Sequence, residues 1–73
     1  MIILLEGKIE LKGEKFVVVN VAGIGYKVFA GQETLQKIPE KGGSVKLWTY
    51  QYVRENAIEL YGFLRFAELE LFE

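Results

Sequence analysis

The chain is 73 residues long, and its nine basic and ten acidic side chains give a net charge of −1. This length allows one domain with a single compact core and argues against a large enzyme pocket. The net charge argues against a protein that grips nucleic acid through bulk positive charge. The sequence contains no Cys and no His, which excludes disulfides and thiolate chemistry and removes the commonest general base and metal ligand.

The N-terminal residues 1–5 are all apolar, but no basic region precedes them and Glu6 follows directly. Such a run is too short for a membrane span and lacks the features of a signal peptide. We therefore expect a cytoplasmic protein without a membrane association.

Residues 5–12 alternate between apolar and charged side chains, which predicts a half-buried first strand. Leu5, Gly7, Ile9 and Leu11 share the face that should point inward. A glycine on that face lets a strand bend sharply, as the first strand of a small closed barrel must, or it marks an ordinary bulge. Both interpretations of Gly7 remain open at this point.

A Gly-x-Gly motif, Gly23-Ile24-Gly25, lies between two strand-like segments, Phe16–Val21 and Tyr26–Ala30. It does not fit a dinucleotide-binding fingerprint, which needs a third glycine and a helix directly after it. It does not fit a helix-hairpin-helix DNA clamp either, because that motif needs helices on both sides. A β-hairpin turn in which the glycines supply positive φ is the interpretation that the neighbouring residues favour.

The first helix-compatible segment is Gln32–Ile38, in which Leu35 and Ile38 lie one turn apart and Pro39 follows. Because this helix is short, we expect it to act as a plug or lid. Residues 44–53 then alternate over a long stretch, which predicts a fourth strand with bulky side chains on both faces.

One face of the fourth strand carries the aromatic row Trp48, Tyr50 and Tyr52. Such a row could stack nucleic-acid bases, as it does in single-strand binding proteins. It could instead pack under the Gln32–Ile38 helix, against the C-terminal segment or against another subunit. Packing is favoured, because Lys46 alone stands beside the row to follow a phosphate backbone.

Arg54-Glu55-Asn56 predicts a polar turn that lifts these three side chains to a hairpin tip, and residues 57–64 predict a fifth strand. From Arg65 onward the apolar period changes to about three, so a helix should begin there.

This last helix shows no stop signal before residue 73, where an acidic residue stands in place of a basic last turn. We therefore expect residues 1–64 to form the domain and residues 65–73 to begin a helix that leads into further sequence, from which the chain has been shortened.

Five strands with a short helix between the third and the fourth fit the order of an OB-fold, a mainly all-β Greek-key barrel. An SH3-like barrel is the main competitor, but it usually has no helix at this position. Because OB barrels bind nucleic acids, sugars and proteins alike, this fold alone does not give a function.

The sequence resembles the N-terminal domain of the RuvA family, the Holliday-junction-binding subunits of the bacterial branch-migration machinery. The resemblance covers essentially the whole chain in the right order, and it is carried most strongly by Arg-Glu-x-Ala and Leu-Tyr-Gly-Phe. The matching segments, in chain order, are Met1-Ile2, the strand around Gly7, Val21–Val28, Leu35–Pro39, Thr49, Val53–Ala57, Leu60–Phe63 and Glu70–Phe72.

The resemblance implies an OB barrel that assembles as a homotetramer, or as an octamer of two tetramers, on four-way junction DNA. It also implies a role in homologous recombination and DNA repair. In this family a second domain with two helix-hairpin-helix motifs grips the DNA, and a C-terminal domain contacts a RuvB-type ATPase; a RuvC-type resolvase is a further partner. Both domains lie outside this sequence, so we expect the 73-residue chain alone to bind junctions weakly.

The resemblance further implies that the turn between the last two strands carries acidic pins, which face the crossover and repel its phosphates. The matching positions are Glu55 and Asn56, so one of the two usual acids is replaced by an amide and the repulsive charge is about halved. Asn56 could still form hydrogen bonds to a base or a phosphate. Arg54 would either contact a phosphate or steady Glu55, and a polar tip without a role is the alternative for all three residues.

Two other classes of function stay open: a generic OB-fold oligomerisation domain, and a single-stranded nucleic-acid-binding domain. An enzyme is disfavoured, because without His, Cys or Asp no acid–base pair falls in a predicted cleft. We expect no catalytic residue, no cofactor and no metal, and ATP hydrolysis would belong to a partner, since no phosphate-binding Gly-Lys-Ser/Thr loop occurs.

Overall fold

The computed structural model describes residues 2–55 and 57–72. It contains five strands and two helices, with one helix between the third and fourth strands and the other after the fifth, as predicted. The elements are β1 (Leu4–Lys12), β2 (Phe16–Val21), β3 (Ile24–Phe29), α1 (Gln32–Lys37), β4 (Ser44–Val53), β5 (Ile58–Phe63) and α2 (Phe66–Phe72).

The strands form a closed barrel in the order β1-β2-β3-β5-β4, which confirms the OB-fold prediction. β1 runs antiparallel to both β2 and β4, so it closes the barrel between them. The shortest strand pairing is that of β3 with β5. These strands run parallel and pair at Val28 with Leu60 and at Phe29 with Tyr61. β4 and β5 form a long antiparallel hairpin, and its turn lies at one end of the barrel.

The barrel interior is filled by small and medium aliphatic side chains from all five strands. α1 adds Leu35, and Ile38 follows directly after the helix; these residues are 5% and 4% exposed and belong to the same cluster. The helix therefore plugs one end of the barrel, as predicted. The interior strand residues are Leu5, Ile9, Val17, Val19, Val28, Val45, Leu47 and Leu60.

Gly7 allows β1 and β2 to approach each other closely, since a Cβ at this position would lie 2.2 Å from the carbonyl oxygen of Asn20. The bulge lies further along β1, where the register shifts between Ile9 and Leu11. This shift makes the prediction of an inward Leu11 wrong, and its side chain is 53% exposed. Lys12 turns toward α1 instead, and its Nζ donates to the carbonyl oxygen of Ile38 at 3.3 Å.

The β2–β3 hairpin turns through Ala22 and Gly23, which have φ values of 53° and 92°. The amide of Gly23 donates to Oδ1 of Asn20 at 2.8 Å. The prediction that both glycines of the motif supply positive φ is therefore correct for Gly23 and wrong for Gly25, which lies within β3 opposite Asn20. β3 begins at Ile24, two residues before its predicted start, because a two-residue turn is enough to reverse the chain.

Candidate functional site

The turn between β4 and β5 is polar and exposed, and it is where the sequence predicted the functional residues to lie. Val53 and Ile58 form the last cross-strand pair, and the amide of Arg54 donates to the carbonyl oxygen of Ala57 at 2.7 Å to close the turn. Glu55 is exposed within this turn, in agreement with the prediction of a lifted polar tip. Asn56, the other predicted tip residue, lies outside the described residues.

Arg54 is held by the stem of the hairpin and makes no ion pair with Glu55. Its guanidinium Nη2 lies 2.5 Å from Oε2 of Glu59, on the opposite strand. The guanidinium carbon also lies 5.7 Å from the ring centroid of Tyr52, at a distance typical of a cation–π contact. Arg54 therefore lies against the outer face of the hairpin, where it bridges its two strands.

Glu59 is fixed through both of its carboxylate oxygens. While Oε2 accepts from Arg54, Oε1 accepts from the hydroxyl of Tyr61 at 2.7 Å. The Glu59 side chain is 19% exposed, whereas that of Arg54 is 53% exposed. The ring of Tyr61 packs between Phe29 and Phe72, whose centroids lie 5.7 and 5.4 Å away, so the anchor of this network belongs to the body of the barrel.

The protonation states in this network reinforce one another. The hydrogen bond from Arg54, followed by that from Tyr61, lowers the pKa of the Glu59 carboxyl. The carboxylate of Glu59 in turn raises the pKa of Arg54. It also raises the pKa of Tyr61, whose hydroxyl donates a hydrogen bond to it. Near neutral pH the site therefore holds a guanidinium, a carboxylate and a neutral phenol.

The charge balance leaves a carboxylate without an ion pair at the tip. Between Lys46 and Arg65 the sequence contains one basic residue, Arg54, and two acidic residues, Glu55 and Glu59. Since Arg54 is bound to Glu59, no basic side chain of the described residues lies within ion-pair distance of Glu55. The turn thus presents a single negative charge to solvent.

The aromatic row on β4 packs against α2. The ring centroids of Trp48 and Phe66 lie 5.0 Å apart, and those of Tyr50 and Phe72 lie 5.4 Å apart. The sequence left three packing partners open for this row, and in the structure the row packs against the C-terminal segment. Tyr52, the last of the row, is 46% exposed and lies beside Arg54.

Two apolar side chains lie uncovered beside the tip. Val53 and Ile58 face each other across the hairpin, and they are 64% and 65% exposed. They extend the interior-facing rows of β4 and β5 past the end of the barrel, where no core remains to cover them. Together these two side chains form an exposed apolar surface next to the turn that carries Glu55.

An apolar groove of about 430 Å³ runs between the start of α1, β5 and α2, and its aromatic walls are Phe29, Tyr61, Phe63 and Phe72. Within residues 2–55 and 57–72, no group of three or more acidic residues comes together to hold a metal ion. No helix among these residues is long and apolar enough to cross a membrane.

Sequence reasoning missed Glu59 and Tyr61 as partners of Arg54. The sequence places both in the fifth strand, where alternation puts them on the same face, but it gives Tyr61 a packing role only and Glu59 none. What the sequence could not supply was the register that pairs Glu59 with Tyr52 and so brings it beside Arg54.

Comparison with known proteins gives a consistent family match. A family model described as the RuvA N terminal domain matches residues 1–62. The Holliday junction branch migration complex subunit RuvA of Symbiobacterium thermophilum is 45% identical over 73 residues, which are 100% of this chain and 36% of that protein.

Proteins of the same name show similar agreement. That of Caldanaerobacter subterraneus subsp. tengcongensis is 45% identical over 73 residues, or 100% of this chain and 39% of that protein. That of Acetivibrio thermocellus is 45% identical over 69 residues, or 94% of this chain and 34% of that protein. The chain thus spans a little over a third of the length of the curated relatives it matches.

Proposed function

This chain belongs to the RuvA N terminal domain family, and we propose that it is the non-catalytic, junction-facing OB-fold module of a Holliday junction branch migration protein. The observation that carries this proposal is the 45% identity over the whole chain to proteins named Holliday junction branch migration complex subunit RuvA. The module would act in the cytoplasm, in homologous recombination and DNA repair.

Glu55 is the residue to which we assign the acidic pin. It is exposed at the hairpin tip, and no described cation neutralises it. A carboxylate at the crossover would repel phosphates most strongly where the gap is narrower than the Debye length of about 8 Å. Asn56 would add hydrogen-bonding capacity but no charge, so each subunit contributes one carboxylate.

The repulsion of phosphates grows with the number of carboxylates gathered at one point, so the proposal includes a homotetramer in which four Glu55 tips converge. The exposed Val53–Ile58 pair supports an assembly of this kind, because it offers apolar surface next to the tip. Pairing of two tetramers to form an octamer around the junction is part of the same proposal.

The remaining activities of such a protein would reside in other sequence, since the chain spans 34–39% of these relatives. We propose that a helix-hairpin-helix domain grips the DNA, and that a C-terminal domain binds a RuvB-type ATPase and cooperates with a RuvC-type resolvase. A near-neutral net charge of −1 agrees with this division, because the basic grip need not come from this domain.

The oligomerisation barrel is the second candidate, and the Val53–Ile58 pair favours it as well. In that case the Glu55 tip has no role. A single-strand-binding platform on β4 is less well supported, since the rings of Trp48 and Tyr50 are occupied by Phe66 and Phe72.

A chimera tests the proposal. The matching N-terminal segment of the Symbiobacterium thermophilum relative is replaced by residues 1–73, and affinity for a four-way junction and for linear duplex is measured across a salt series. We expect the chimera to retain selectivity for the junction and to support branch migration with the RuvB partner of that organism. Loss of both in a folded chimera would overturn the proposal.

The Glu55→Gln chimera separates the two candidates. If the pin acts as proposed, this variant binds linear duplex more tightly and loses selectivity. Glu33→Gln is the matched control, because it removes the same charge from an exposed site on α1. An assembled chimera whose selectivity is the same with Gln at position 55 would favour the oligomerisation barrel.

A further inference from the structure

The hairpin has one cation and two carboxylates that could bind it. Arg54 directly precedes Glu55 in the chain and lies across the hairpin from Glu59. If Arg54 paired with Glu55, the unpaired negative charge would sit on the stem; because it pairs with Glu59, that charge sits at the tip. The choice of partner therefore decides where the hairpin is negative.

We propose that Glu59 is a positioning residue: with Tyr61 as its anchor, it binds Arg54 on the stem and so leaves the charge of Glu55 uncompensated at the tip. This inference deepens the proposed function and rests on it for its biological meaning, because an acid already neutralised by its neighbour could not repel a phosphate.

The geometry favours Glu59 over Glu55 as the partner of Arg54. The Arg54–Glu59 contact is a hydrogen-bonded ion pair at 2.5 Å, and the guanidinium also lies over the Tyr52 ring. Glu59 is only 19% exposed, so its carboxylate keeps one position and loses little freedom on pairing. Glu55 is exposed in the turn, and pairing there would immobilise a solvated side chain.

Tyr61 fixes the other half of the carboxylate. Its hydroxyl donates to Oε1 of Glu59 at 2.7 Å, and its ring packs against Phe29 and Phe72. Since a carboxylate whose two oxygens have separate partners cannot rotate freely, Oε2 stays directed at Arg54. The packed ring of Tyr61 thus holds the carboxylate of Glu59 in place, and this carboxylate in turn holds the guanidinium of Arg54.

Lys27 is the other cation that faces Glu59, and it lowers the pKa of that carboxyl slightly. Its ammonium group lies 4.5 Å from the ring centroid of Phe16 on β2 and 5.2 Å from that of Phe29 on β3, and it forms no ion pair with Glu59. Glu59 therefore remains available for Arg54.

The test measures electrostatic potential at the tip of the 73-residue chain without any DNA. A cationic and an anionic nitroxide of the same ring structure are added in turn, and the relaxation enhancement of the amide hydrogens of Glu55 and Ala57 is measured by NMR. In the native chain the cationic probe should be enriched at these amides. In Glu59→Gln, Arg54 is released toward Glu55, and the cationic-to-anionic ratio should fall about two- to threefold at low salt.

The double variant Arg54→Gln/Glu59→Gln distinguishes positioning from a structural role. It removes the released cation, so the ratio at the tip should return to the native value, which mere loosening of the hairpin would not produce. Tyr61→Phe keeps the ring but loses the anchor, and it should give an intermediate ratio. Glu33→Gln, which breaks the corresponding exposed pair with Lys37 on α1, should leave the tip unchanged.

Two results would overturn the inference. One is a Glu59→Gln chain that keeps its amide spectrum and shows the native ratio at residues 55 and 57. The other is a double variant that stays at the Glu59→Gln value. Duplex binding by the corresponding chimeras separates this inference from the pin proposed for Glu55. If Glu59→Gln changes the potential at the tip but the chimera rejects linear duplex as before, Glu59 positions Arg54 and Glu55 is not a pin.

Discussion

A Cβ atom on Gly7 would lie 2.2 Å from the carbonyl oxygen of Asn20, and this carbonyl belongs to the backbone of the adjacent strand. A backbone atom cannot move aside as the end of a side chain can, so β1 and β2 would have to separate. We expect Gly7→Ala to destabilise the chain by about 2–4 kcal/mol. That is a large share of the roughly 4–11 kcal/mol available to a chain of this size. Urea denaturation followed by Trp48 fluorescence measures the loss.

Gly31→Ala is the control for this prediction, since a Cβ at Gly31 would meet no atom within 4 Å. It should cost less than about 1 kcal/mol. Equal losses from the two substitutions would contradict a specific close approach at Gly7.

The β2–β3 turn should accept a stabilising substitution. Ala22 has a φ of 53°, a left-handed conformation that costs an alanine about 1 kcal/mol, and Gly23 follows it. Asn-Gly is the preferred pair for a two-residue turn of this type. We expect Ala22→Asn to stabilise the chain by about 0.5–1 kcal/mol and raise its melting temperature by several degrees. Ala22→Val, with a branched side chain in the same conformation, should lower it.

The docking of α2 depends on one buried leucine. Leu69 is 1% exposed, whereas Leu71 on the same helix is 90% exposed. We expect Leu69→Ala to cost about 2–4 kcal/mol and Leu71→Ala less than about 0.5 kcal/mol. Because Phe66 and Phe72 would detach together with α2, the first variant should also shift the fluorescence of Trp48 toward that of an exposed indole. A native spectrum in a clearly destabilised Leu69→Ala chain would contradict a shared docking unit.

Much of the fold could be predicted, because local signals in this chain agree with its tertiary structure. Four valines within Phe16–Val21 and the long alternation of Ser44–Val53 define these strands at their observed bounds. The prediction for Leu11 was wrong because a register shift reverses alternation, and a shift depends on how two strands pair.

The candidate site divides in the same way. The exposure of Glu55 could be predicted from the polar turn in which it lies. The binding of Arg54 by Glu59 could not, because it depends on the cross-strand register and on the packing of Tyr61 against Phe72 of α2. Contacts between distant elements leave no local pattern in a single sequence.

Acid should weaken the chain through Glu59. Its pKa in the folded chain is below the ordinary value of 4.5, so the unfolded chain binds the proton first as the pH falls. The stabilisation is therefore complete above pH 4.5 and is lost as the pH falls through the folded pKa. Urea midpoints measured from pH 7 to pH 3 should fall more steeply for the native chain than for Glu59→Gln. Parallel curves would contradict an ion pair that forms in the folded chain.

Alkali should act through Tyr61 with the opposite dependence on pH. The hydrogen bond to the Glu59 carboxylate raises the pKa of this phenol above 10.0, so the unfolded chain loses the proton first as the pH rises. The stabilisation is complete below pH 10 and is lost as the pH rises through the folded pKa, because a phenolate would face the carboxylate that the phenol now binds. The difference in urea midpoint between the native chain and Tyr61→Phe should therefore be constant from pH 7 to pH 9 and shrink above pH 10. The other tyrosines titrate in both chains and cancel in this difference, so a constant difference across the whole range would show that Tyr61 does not bind Glu59 in solution.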